Sequence, residues 1–186
     1  VLLAGLAFAA LANAGIGLLV AIADDRQLRD LSFWSLGSFG GSTWSRLAQA
    51  APLLAVSLVL AAPLGRALDA LAIGEAEAFH MGIPVETVKR IAFVAVALGV
   101  GTSVAAVGAV GFVGMVVPHV VRLALGPSHR PLLLASALGG AVLVTLADLA
   151  ARTVTAPAEL PIGILTALLG APVFLHLVAR TRGETV

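Results

Sequence analysis

Four stretches of this chain run so long without a charged residue that water cannot be their solvent. Residues 1–23, VLLAGLAFAALANAGIGLLVAIA, carry no charge over 23 positions. A helix needs about 20 apolar residues to cross a hydrocarbon core. Leu47–Leu64 is uncharged over 18 residues, with Pro52 and Pro63 expected to bend or end the span. Pro131–Ala147 continues through Asp148 and Arg152 into a third span, and Leu160–Ala179 opens its helix with Pro161 near the start. Charged residues make up 11% of the chain, against about 25% in soluble domains, and the mean hydropathy is +1.07. The chain therefore reads as an all-α, polytopic membrane protein. Its net charge of +1 gives no argument for nucleic acid, and the absence of cysteine excludes disulfides, thiolate metal sites and thiol catalysis. The opening run lacks an initiator Met and a basic flank and exceeds the apolar length of a signal peptide. It is expected to be a helix already under way inside a longer protein.

Ile91–Val121 is uncharged over 31 residues, about 46 Å as one helix against a core of about 30 Å. Two full helices would need more chain. Basic residues favour the cytoplasmic ends of spans. If Lys89 and Arg90 are inside, then Arg122, Arg130, Arg180 and Arg182 are inside as well only if this stretch crosses an even number of times. Arg152 then lies outside, as do Arg26, Arg29 and Arg46 with Asp24, Asp25 and Asp30. The stretch is accordingly split at GAVGFVG into a helix over 91–107 and a short, broken return helix over 112–125. Gly108, Gly111 and Gly114 weaken the helix at the turn, and Pro118 kinks the return. Broken backbone at membrane depth is tolerated where protein or water satisfies it, which suggests a site beside a pathway. One long tilted helix is the rival reading.

Residues 24–46 form an external loop in this topology. DDRQLRD reads as solvated, and LSFWSLGSFGGSTW as a re-entrant or interfacial segment, with Trp34 and Trp44 suited to the membrane–water boundary.

The charged island LAIGEAEAFHMGIPVETVKR, residues 71–90, falls on the cytoplasmic side. GEAEAFHMG makes about two helical turns, with Ala76, Phe79 and His80 near one face. Gly82 ends it, and Pro84 begins a second short helix, PVETVKR. Two small helices with apolar tips and flanking carboxylates make a knob suited to a groove on a soluble partner. A solvated linker is the plainer alternative.

Four separated motifs, LSFWSLGSFGGSTW, LAIGEAEAFHMGI, GAVGFVGMVVPHVVRLALGPSHR and LADLAARTVTAPAELPIGILTALLGAPVFLHLV, occur here in the expected order. Together they resemble the membrane permease of FecCD-type ABC importers, which move iron–siderophore complexes, haem or vitamin B12. The resemblance covers nearly all of residues 1–186. It implies a single transmembrane permease domain corresponding to the C-terminal six helices, one of them short and broken, of a fold of about ten spans.

The resemblance also implies roles. Gly74, Glu75, Glu77, Ala78, Phe79, His80, Gly82, Ile83 and Pro84 match the coupling helices that sit on an ATP-hydrolysing subunit. ATP and Mg would be bound there, since this chain has no P-loop and its only lysine is Lys89. Arg152 and Glu159 match positions that dock a periplasmic or lipid-anchored substrate-binding protein. Asp148 and Arg152, four apart, can equally pair with each other, and Glu159 can cap the turn into the last helix. Asn13, Trp34, Gly37, Ser38, Gly111, Gly114 and Pro118 are expected along the translocation pathway, although an amide such as Asn13 also serves helix–helix bonding. The resemblance further implies a homodimer in a bacterial inner membrane working by alternating access. ADDRQLRDLSFWSLGSFGGSTW looks most like haem permeases.

His80, His119, His129 and His176 lack ligand spacing on any one helix, so no metal or haem site is expected; only His80 has a carboxylate, Glu77, a turn away. No arrangement of residues suggests a catalytic centre or a cofactor bound by this chain. An ion-coupled secondary transporter remains the main rival, with Asp148 its lone candidate for an intramembrane coupling carboxylate. A non-transporting membrane assembly subunit is the other.

Overall fold

A computed structural model describes residues 2–154 and 160–182, with side chains in the last helix as far as Phe174. The chain divides into two compact units, Val1–Ser35 and Leu36–Val186.

The first unit holds α1, Leu2–Ala21, and α2, Asp25–Ser35. α1 is apolar around its whole circumference, with Asn13 its one strongly polar side chain. α2 differs from the sequence expectation, because DDRQLRD is helical rather than a solvated loop. The cause is a capping box: Asp24 Oδ1 accepts from Gln27 N–H at 2.8 Å, and Gln27 Oε1 accepts from Asp24 N–H at 3.1 Å.

The second unit runs α3 (Trp44–Ala61), a 3-10 turn (Ala62–Leu64), α4 (Gly65–Ile73), α5 (Glu75–His80), α6 (Val85–Val107), α7 (Val113–Leu125), α8 (His129–Val154) and α9 (Ile162–Arg182). Among the described residues, four helices are long and apolar enough to cross a membrane: Leu3–Ala21, Trp44–Ile73, Val85–Val107 and His129–Val154. Val113–Leu125 and Ile162–Phe174 are shorter apolar segments. The six helices expected, one of them short, are thus present. Pro52 lies inside α3 without ending it, whereas Pro63 sits in the 3-10 turn where the α-helix is interrupted.

Ile91–Val121 breaks where the glycines predicted. Gly108 ends α6 at φ 81°, a backbone that only glycine adopts cheaply, and its N–H closes on Val104 O at 2.8 Å. α7 then covers 13 residues, about 20 Å. PVETVKR, by contrast, is not a separate helix. Nothing in the sequence after Pro84 breaks the helix, so these residues form the first turns of α6.

Hydrogen bonds define two ends of this unit. At one, Ser38 N–H donates to Val107 O at 2.9 Å, and the first N–H groups of α9, on Ile162 and Gly163, donate to Gly37 O and Leu36 O at 2.9 and 3.0 Å. Buried Ala147, Ala151 and Ile162 pack there with Phe39, Val110, Leu160 and Leu165. At the other end lie α5, the start of α6, the end of α7 and the start of α8. α6 therefore crosses and α7 returns. Arg66, Lys89, Arg90, Arg122 and Arg130 gather at this second end, while Arg46 and Arg152 lie at the first.

Candidate functional site

The basic end carries a small, braced knob. Glu75 and Glu77 occupy the first turn of α5, where carboxylates favour the helix dipole. At its close, Gly82 at φ 80° donates its N–H to Phe79 O, and Ile83 N–H donates to Ala78 O, a Schellman ending that fixes the exit of the chain. Gly82 is needed for this geometry. Glu75 also pairs with Lys89 of α6 at 2.5 Å, and Glu86 lies 3.8 Å from the same ammonium. Ala78 is fully buried, so it packs α5 against the bundle and is not offered to a partner as the sequence reading expected.

What the knob does offer is apolar. Phe79 is 70% exposed, Ile73 70% and Met81 55%. His80 packs edge-on to the Phe79 ring at 6.1 Å between centroids. Gly74, Glu75, Glu77, Phe79, His80, Gly82, Ile83 and Pro84 all fall within this one projection.

Sequence reasoning missed a second polar cluster at the same end. Asp69 of α4 accepts from His129 N–H at 2.7 Å, its Oδ1 lies 2.7 Å from His129 Nδ1, and its Oδ2 accepts from the Ser128 hydroxyl at 3.3 Å. A lone carboxylate in GRALDALAI, with a serine–histidine pair at the start of a helix, was the available signal. The separation of 60 residues hid the contact.

At the opposite end, Arg152 Nε donates to Asp148 Oδ2 at 2.8 Å, so the intrahelical pair forms. Glu159 lies outside the described residues. A cavity of about 350 Å³ is lined by Phe39, Gly40, Ser42, Val144, Thr145, Asp148 and Arg152. Beside it an apolar groove of about 590 Å³ runs between Phe39, Trp44, Leu47, Leu54, Ala106 and Val107. Gly37 is buried, and a methyl there would meet Ala109 O at 2.6 Å. Gly37 and Ser38 serve as backbone joints to α9 and α6 respectively. Gly111 and Gly114 are exposed to open space, and Pro118 sits half-buried in α7. Asn13 and Trp34 belong to the first unit. The described residues hold no cluster of three metal-ligating side chains, and the His176 side chain lies outside them.

Several apolar spans, a short return helix and a basic end bearing an exposed apolar knob define a multi-pass α-helical membrane protein. The FecCD transport family model matches residues 1–180, and the chain belongs to that family. It is 46% identical over 183 residues to the hemin transport system permease protein HmuU of Yersinia pestis, covering 98% of this chain and 55% of that protein. It is 43% identical over 180 residues to the vitamin B12 import system permease protein BtuC of Vibrio cholerae, covering 96% of this chain and 54% of that one. A solved structure of a metal-chelate type ABC transporter, in an inward-facing conformation, superposes with a TM-score of 0.84 at 35% identity, over 95% of this chain and 57% of the other. The chain thus spans about half the length of the relatives it matches.

Proposed function

We propose that the chain is the C-terminal part of the membrane permease of a binding-protein-dependent ABC importer. One observation carries the reading: at the basic end, α5 and the residue that caps it project Phe79 and Met81 outward while the frame is pinned by the Glu75–Lys89 pair and the Gly82 ending. An apolar tip on a rigid mount is what helix-in-groove recognition needs, and basic residues favour the cytoplasmic side. The groove belongs to an ATP-binding cassette subunit, which binds and hydrolyses Mg-ATP. This chain is the transport subunit and performs no hydrolysis itself.

The rest of the assembly follows from the same reading. All 186 residues form one permease domain in a bacterial inner membrane, and two copies of the whole permease enclose the pathway. Arg152 and Glu159 face a periplasmic or lipid-anchored binding protein. Asn13, Trp34, Gly111, Gly114 and Pro118 stand along the route, which opens alternately to the two sides. The cargo is an iron chelate, haem or a corrinoid. Haem is favoured by the 46% identity to a hemin permease, against 43% to a vitamin B12 permease.

The test uses the full-length permease co-expressed with its ATPase and binding protein. Phe79→Asp should insert and purify normally, because the side chain is exposed, yet lose co-purification of the ATPase and lose ATP-dependent hemin uptake. Retention of both would refute the reading.

A further inference from the structure

α8 has no chain continuity with the knob, yet it is fastened to the segment that carries it. The first N–H groups of a helix lack intrahelical acceptors and usually find one in the residue just before the helix. Ser128 holds that place before α8, but its hydroxyl donates to Asp69 Oδ2 at 3.3 Å. The acceptor for His129 N–H is Asp69 Oδ1, at 2.7 Å, and the His129 ring nitrogen Nδ1 lies 2.7 Å from the same oxygen. One turn earlier on α4, Gly65 lets the two helices touch, since a methyl there would lie 2.6 Å from Arg130 Cγ and 3.0 Å from Arg130 Cα.

Two fastenings one turn apart resist pivoting in a way that a single contact does not. α4 in turn runs into α5 through Gly74 alone. α8 is 26 residues long, about 39 Å, and towards its far end it carries buried Ala147 and Ala151 against Ile162, and the Asp148–Arg152 pair.

We propose that Asp69 is a positioning residue that makes α4, the knob and the start of α8 move as one body. Displacement of α5 is then delivered by α8 to the opposite end of the bundle. The inference rests on the reading of α5 as the contact for an ATPase. α6 follows α5 directly in the chain, across the turn 81–84, so its response needs no such fastening. α8 is reached through Asp69.

The test uses proteoliposomes holding the full-length permease, its ATPase and its binding protein, with hemin and cyanocobalamin as probes. Asp69→Ala is expected to keep the ATPase bound and hydrolysis within about twofold of wild type, while uptake per ATP falls about tenfold. Asp69→Asn, whose Oδ1 still accepts the His129 N–H, should recover most of that ratio. If Asp69→Ala does not insert, Gly65→Ala, which wedges α4 off Arg130 and leaves Asp69 in place, is read in the same way. An unchanged uptake-to-hydrolysis ratio in Asp69→Ala, or in Gly65→Ala where that variant is the one read, overturns the proposal. So does a parallel fall of assembly, hydrolysis and uptake in both Asp69 variants, which would mark a purely architectural role. Wild-type uptake that proceeds without ATP overturns the permease reading itself, and this inference with it.

Discussion

The Ser57 hydroxyl donates a 2.7 Å hydrogen bond to the Ala95 carbonyl, joining α3 to α6 inside the bundle. A methyl at Gly99, one turn further along α6, would lie 2.6 Å from that same oxygen but 3.5 Å from the Ser57 Cβ. The hydroxyl and the added methyl therefore compete for one space. Ser57→Ala should cost about 0.6 kcal/mol, as intramembrane hydrogen bonds do, and Gly99→Ala about 1–3 kcal/mol from overpacking. The double variant should cost less than the sum. Thermal unfolding of the four proteins in detergent checks this, and additive losses would show that the two groups do not compete.

The Glu75–Lys89 pair sets up a charge-swap experiment. Its side chains are 64% and 40% exposed, so neither single reversal should alter the stability of the bundle much. Glu75→Lys and Lys89→Glu should each disorder the knob and lower ATP-dependent hemin uptake. If the pair serves only to hold α5, combining the two reversals restores uptake. Continued loss in the combined variant would mean that Glu75 or Lys89 also touches the partner.

Phe112 is the sole non-glycine with positive φ among the described residues, at 64°. Its Cβ faces Gly170 of α9 so closely that no methyl fits there. Gly170→Val should destabilise the protein by at least the cost of overpacking, about 1–3 kcal/mol. Phe112→Gly, which removes both the obstructing side chain and the strained backbone, should recover part of that loss. Melting temperatures with and without the second substitution decide the matter.

Asp148 separates the two modes of energisation. A carboxylate that carries a coupling ion cannot do so as an amide, whereas one that only holds Arg152 at 2.8 Å can be replaced. Asp148→Asn should keep most ATP-driven uptake, and an uncoupler should leave that uptake intact in vesicles supplied with ATP. Abolition of uptake in Asp148→Asn, together with collapse of wild-type uptake on adding the uncoupler, would point to an ion-coupled carrier.

The sequence was most legible where local chemistry decides the structure. The break between α6 and α7 followed from Gly108 and from the length of an uncharged run, and the Gly82 ending followed from a glycine after two helical turns. The helix over Asp25–Ser35 was missed although D-x-x-Q, a capping box, was present in its first residues. The extent of α6 was missed because the change from polar PVETVKR to an uncharged run suggests a boundary after Arg90, whereas Pro84 caps one continuous helix over Val85–Val107. Long-range contacts were the illegible part. The Asp69–His129 link and the burial of Gly37 between α6 and α9 depend on which elements meet, and no local pattern encodes that. The membrane setting worsens this, since uniformly apolar helices carry little amphipathic signal about which face turns inward.

α7 spans about 20 Å of a hydrocarbon layer of about 30 Å, and the deficit is made up by the irregular residues 108–112. Broken backbone at such depth persists where protein or water satisfies it, and here protein supplies much of that cover. Ser38 N–H holds Val107 O, Val113 N–H closes on Gly111 O, and Val110 packs on Ala147, Ala151 and Ile162, so this interruption is a built joint rather than a frayed end.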